Sequence, residues 1–91
     1  MKLLFEWDAV KARSNFKKHG VRFEEATSVF GDAKAITIES SVSKDEKRLI
    51  TIGKSSSGSL LIVVVHTDRN DRIRIISARP ASRSERRQYL G

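Results

Sequence analysis

The chain has 91 residues, 38% hydrophobic and 32% charged, with 18 basic against 11 acidic side chains and a formal net charge of +7. That length holds one hydrophobic core, so a single domain over residues 1–91 is expected, and apolar runs between the charges argue against a disordered chain. There is no cysteine, which excludes disulfide staples and thiolate metal sites.

The opening stretch MKLLFEWDAV is too short and too polar for the apolar region of a secretory signal. The longest apolar run, LLIVVV from Leu60 to Val65, is far below membrane-spanning length. A soluble cytoplasmic protein with no membrane partner is therefore expected. KLLFEW alternates loosely and predicts a short first strand. Asp8 then reads as an N-cap, with Ala9, Ala12 and Phe16 on one face of the helix that follows. Lys17, Lys18 and His19 fall in its last turn, where cations suit the helix dipole, and Gly20 follows as the residue that ends it. A second short helix is predicted from Phe23 to Phe30, stopped by Gly31 and Asp32.

The period then changes. Segments from Ala35 to Ser40, Lys47 to Ser55, Leu60 to Thr67 and Arg72 to Ala78 are rich in Ile, Val and Thr and read as strands. SVSKDE, SSSG and DRND between them carry turn chemistry, so the last three strands should form an antiparallel meander. LLIVVV is apolar on both faces, as a central strand covered on both sides would be. In RIRI, Arg72 and Arg74 share one face and Ile73 and Ile75 the other. Pro80 ends that strand, and SRSE from Ser82 to Glu85 fits a capping box that starts a C-terminal helix. The fold class is α+β: two N-terminal helices and a C-terminal helix on a mostly antiparallel sheet.

The positive charge is concentrated at the end of the chain. From Arg69 to Gly91 there are seven arginines, no lysine, and only Asp71 and Glu85 against them. A guanidinium presents a planar fork that holds phosphate or carboxylate with two hydrogen bonds, so the partner is expected to be nucleic acid or an acidic protein. His19 and His66 are the only histidines, far apart and without a carboxylate at ligand spacing. H-E-x-x-H, glycine-rich phosphate loops and G-x-S-x-G are all missing, so neither a metal nor another cofactor is expected. RNA can be cut without one, because its own 2′-hydroxyl attacks the neighbouring phosphate. The protein then supplies a base, cations for the developing charge and an acid for the leaving oxygen. Arg72, Arg74 and Arg79 are candidates for the cations. His66 is a candidate base or acid, since imidazole titrates near neutral pH, and Tyr89 or His19 a candidate second proton donor.

Plainer roles compete for each of these residues. His66 closes an apolar strand, where a histidine is commonly structural. Arg72 and Arg74 suit the solvated face of an edge strand that resists aggregation. SERRQYL suits an amphipathic helix with a basic outer face, and Lys18-His19-Gly20 a helix ending. Trp7 reads as a hydrophobic staple against Ala12 or as a base-stacking platform.

FEWDAVKARSNFKKHGVRFEEATSVFGD, with GKSSSGSLLIVVVHTDRNDRIRIISARPASRSERRQYL, resembles the BrnT family of toxin ribonucleases from Phe5 to Tyr89. FEWD, KHGVRFEEA and IRIISAR before an arginine-rich helix carry the likeness. The resemblance implies a RelE-like fold and the toxin of a type II toxin–antitoxin pair, which inhibits translation by cleaving RNA. It implies neutralisation by a small DNA-binding, BrnA-like antitoxin in a hetero-oligomer. Arg72, Arg74 and Arg79 would stand at the scissile phosphate, with Tyr89 at a position where related toxins keep a tyrosine. Lys18, His19, Arg83 and Arg86 would contact RNA. Two positions depart from the family pattern: Pro80, after Arg79, where a basic or polar residue is expected, and Ser59, before the apolar strand, where a basic residue is expected. Strict alternation also puts Arg79 on the side of Ile73 and Ile75, so a bulge or the strand end must turn it. A non-catalytic nucleic-acid-binding module and an antitoxin-interaction module remain the alternatives.

Overall fold

A computed structural model of the chain describes residues 3–43, 46–58 and 60–91; Ser59 and part of the SVSKDE turn lie outside them. The elements follow in the order β1 (Leu4–Glu6), α1 (Ala9–His19), α2 (Phe23–Thr27), a 3-10 turn (Ser28–Gly31), β2 (Ile36–Ser43), β3 (Glu46–Lys54), β4 (Leu61–Arg69), β5 (Arg72–Pro80) and α3 (Arg83–Leu90). No helix among them is long and apolar enough to cross a membrane.

Local chemistry sets the helix ends. The Asp8 carboxylate accepts from the backbone N–H groups of Val10 and Lys11 at 2.8 and 3.2 Å, and these bonds hold its pKa below the usual value. Gly20 closes α1 with φ 74°, a conformation that costs glycine nothing, and its N–H reaches the Phe16 carbonyl. The expected second helix is shorter than its apolar spacing suggests. The hydroxyls of Thr27 and Ser28 donate to the carbonyls of Glu24 and Glu25 at 2.7 and 2.6 Å. Such back-bonding competes with the α register, and the chain tightens into the 3-10 turn. Ser82 and Glu85 form the full capping box that starts α3.

The sheet is mixed, in the order β1-β5-β4-β3-β2. The four later strands form an antiparallel meander, while β1 pairs parallel to β5, Leu4 opposite Arg72 and Glu6 opposite Arg74. β4 is the central strand, and Leu61, Ile62, Val63 and Val64 are all at most 5% exposed. One face carries Ile62, Val64, Ile75 and Ala78 against Val21, Phe23, Ala26 and Val29 from the α1–α2 layer. Phe5 packs on Phe30 at 5.4 Å, and Trp7 meets Phe23 edge-on at 5.9 Å.

The register slips once between β4 and β5. His66 pairs with Ile75 and Val65 with Ser77, so Ile76 has no partner. One extra residue reverses the alternation beyond it. Arg79 therefore stands opposite Val63 and shares the second face with Arg72, Arg74 and Ser77. Pro80 is the strand's last residue, where the missing N–H is tolerated. Across that second face, Ile38, Ile50, Val65 and Ser77 form one row, and Ile36, Ile52, Val63 and Arg79 the next.

Gly53 sits where β3 meets the 3-10 turn. A Cβ there would lie 2.6 Å from Val29 Cγ1, a distance that forces Val29 or the turn to move. Gly53→Ala should cost about 1–3 kcal/mol, lowering the melting temperature by about 4–8 °C per kcal/mol in a domain of this size. Adding Val29→Ala to that variant should recover part of the loss of the overpacking, which thermal denaturation of both proteins checks.

Candidate functional site

The bulge in β5 is what assembles the basic face. Arg72 is the most open of its three arginines, its side chain 50% exposed and 4.0 Å from Asp71. Arg74 donates to Glu6 at 3.1 Å, tying β5 to the parallel edge strand. Arg79 makes a two-pronged pair with Glu85 at 2.8 and 2.7 Å. The hydrogen bonds from Arg79, with help from the Ser82 N–H, depress the Glu85 carboxyl from its ordinary 4.5 to about 2, and the guanidinium is pushed up in return. The face is thus positive but partly self-neutralised, with Arg79 doubling as the anchor of α3.

Ser77 lies between Arg74 and Arg79 on the same face. It also lines a cleft of about 210 Å³ between β5 and α1, together with Lys11, Ser14, Lys18, His19 and Ile76. The cleft exists because β1 is short. It pairs β5 only as far as Arg74, and the rest of that edge needs another partner for its backbone. Asn15 supplies it. Its amide donates to the Ala78 carbonyl at 2.8 Å and accepts from the Ala78 N–H at 3.1 Å, and the same amide nitrogen reaches the Val21 carbonyl at 3.1 Å. Asn15 acts as a substitute strand that fixes α1 along β5, and nothing in its sequence neighbourhood marks it for that task.

The other sequence candidates lie elsewhere. His66 projects from the opposite face of the sheet, paired with Ile75 and 3% exposed. Its Nε2 is 2.8 Å from the Thr51 hydroxyl, which in turn is 2.8 Å from that of Thr37. Phe30 closes over the ring edge-on at 4.9 Å, and Nδ1 is buried without a hydrogen-bond partner. Burial lowers its pKa, against a smaller opposing pull from Asp68. The geometry does not bring His66 to the arginines. Tyr89 donates its hydroxyl proton to Asp32 at 2.6 Å, which raises the phenol and lowers the carboxylate. Asp32 caps the 3-10 turn and also accepts from the Lys54 N–H at the end of β3, so Tyr89 pins α3 there rather than facing Arg72 or Arg74. Arg83 and Arg86 are exposed on α3, Arg86 beside a cleft it shares with Lys54, Leu61 and Tyr89. A further cleft of about 300 Å³, on the other side of α1, is lined by Trp7, Arg13, Phe16, Arg22, Phe23 and Glu24. Among the described residues, no three His, Cys, Asp or Glu side chains gather as a metal site would require.

A family model described as "Ribonuclease toxin, BrnT, of type II toxin-antitoxin system" matches residues 7–85. No curated protein sequence matches the chain significantly.

The Arg79–Glu85 pair yields a test of how α3 is held. A carboxyl depressed on folding contributes stability that is present above its unfolded pKa, near 4.5, and lost as pH falls through its folded value of about 2. Wild type should therefore melt higher than Glu85→Gln at pH 6, and the gap should close between pH 4.5 and 2. Parallel melting curves across that range read the difference directly.

Proposed function

The chain belongs to the BrnT family of type II toxin–antitoxin ribonucleases, and on that premise we propose that it cleaves RNA on the arginine face of β5 without a metal ion. The fold is read as RelE-like. The 2′-hydroxyl of the substrate attacks the adjacent phosphorus; the new P–O2′ bond forms as the P–O5′ bond breaks. The 2′-hydroxyl gives its proton to a base, and the 5′-oxygen leaves with a proton from an acid. Arg72, Arg74 and Arg79 balance the charge that builds on the phosphoryl oxygens. Lys18 holds a neighbouring phosphate, with Arg83 and Arg86 extending the path along α3. His19 is the proton-transfer group best supported by position, since it shares the Ser77 cleft with Lys18, whereas His66 is enclosed and the Tyr89 proton is held by Asp32.

The observation that carries this reading is the register of β5. Arg72, Arg74, Ser77 and Arg79 share a face, and Ser77 joins it to the cleft of Lys18 and His19. Cleavage is proposed to inhibit translation in the cytoplasm. The antitoxin implied by the family is proposed to be BrnA-like and DNA-binding. It would cover the same face in a hetero-oligomer, reaching the aliphatic row in which Ile38 is 48% exposed.

One observation favours a second reading, a basic binding module without cleavage: Arg74 and Arg79 already hold carboxylates. Purified wild type should cut a labelled RNA equally well with and without a divalent-metal chelator. Arg74→Ala should cut about 10²–10³-fold more slowly, the loss expected for one transition-state charge partner, while still binding RNA. Wild type that binds RNA and leaves it intact would establish the second reading instead.

A further inference from the structure

The cleft on the far side of α1 has no part in the steps above. Its lining is unusual for this chain: three aromatic side chains, two arginines and one carboxylate, around about 300 Å³. The volume is at the lower end of small-ligand sites and ample for one nucleobase. Trp7 stands nearly perpendicular to Phe23, at 80°, so the two rings are not stacked on each other. The Arg22 guanidinium lies over the Phe16 ring at 4.5 Å from its centre, and Phe16 is 41% exposed. Aromatic and guanidinium planes are the surfaces on which single-stranded bases stack.

The cleft is joined to the arginine face through the end of β1. Trp7 directly follows Glu6, the residue that holds Arg74. Asp8, one residue further on, lies within reach of the Arg74 charge. A base whose phosphate sat at Arg74 would have to pass the end of β1 to enter this cleft.

Its polar groups discriminate among bases. An arginine fork pairs with two adjacent acceptors, the O6 and N7 of guanine. A carboxylate accepts from two adjacent donors, the N1–H and N2–H₂ of guanine. Adenine offers no acceptor at position 6, and pyrimidines lack the N7. We propose that the cleft is a guanine subsite: Trp7 and Arg22 supply stacking surfaces, Arg13 binds the O6/N7 edge and Glu24 the N1/N2 edge. The proposal rests on the RNA-cleaving reading, and it adds a base preference next to the cut.

Trp7 is the only tryptophan in the chain, so its emission reports on the cleft alone. The free chain is titrated with GMP, AMP, CMP and UMP, and cuts in a mixed-sequence RNA are mapped. GMP should shift Trp7 emission and bind at least about tenfold more tightly than the other three, the value of one good bidentate contact. Cuts should fall beside guanines. Glu24→Gln and Arg13→Ala, both surface changes, should each erase most of that preference at an unchanged melting temperature. An equal response to all four nucleotides would overturn the proposal, as would guanine preference that survives both variants. GMP binding combined with cuts indifferent to guanine would remove the cleft from the substrate path. If wild type cuts no RNA at all, the ribonuclease reading fails by itself, while the nucleotide titration still decides what the cleft binds.

Discussion

A single unpaired residue, Ile76, governs the chemistry of this surface. Without it, alternation along β5 would bury Arg79 against the helical layer or expose Ile73 and Ile75 on the opposite side. With it, three arginines and Ser77 share one face, and Ile73, Ile75 and Ala78 share the other. The bulge lies at the level of the stretch where β1 has ended and Asn15 takes over the backbone of Ala78. The same short span thus redirects a side chain and opens the edge against which Lys18 and His19 are placed.

The arginines are held as well as presented. Glu6 fixes Arg74 and Glu85 fixes Arg79, so both side chains are already positioned. Under the proposed function that arrangement would lower the entropy lost on binding, but a phosphate at Arg79 would compete with a carboxylate that is itself part of the α3 cap, coupling binding there to the docking of α3. Arg72, half exposed and only distantly paired, carries no such constraint.

Much of the architecture is legible in the residues. Asp8, Gly20 and the Ser82–Glu85 box mark helix ends by local hydrogen bonding, and LLIVVV marks the central strand because both of its sides are apolar. What stays hidden depends on contacts distant in sequence. The parallel pairing of β1 with β5 joins segments more than sixty positions apart, and Asn15 finds Ala78 across a similar span. The place of the bulge has no composition signal, although the need for one follows from the position of Arg79. His66 is a candidate in sequence because imidazole titrates near neutral pH, although its apolar strand already suits a structural role. Only the pairing with Ile75 and the cover from Phe30 show that its ring is enclosed.

The ladder between β4 and β5 can be read in solution from the cross-strand proton contacts of an isotope-labelled sample. The account predicts contacts between His66 and Ile75, Val65 and Ser77, and Val63 and Arg79, with none from Ile76 to a partner on β4. An unbroken ladder that pairs Val65 with Ile76 would contradict it, because Arg79 would then stand on the face opposite Arg72 and Arg74.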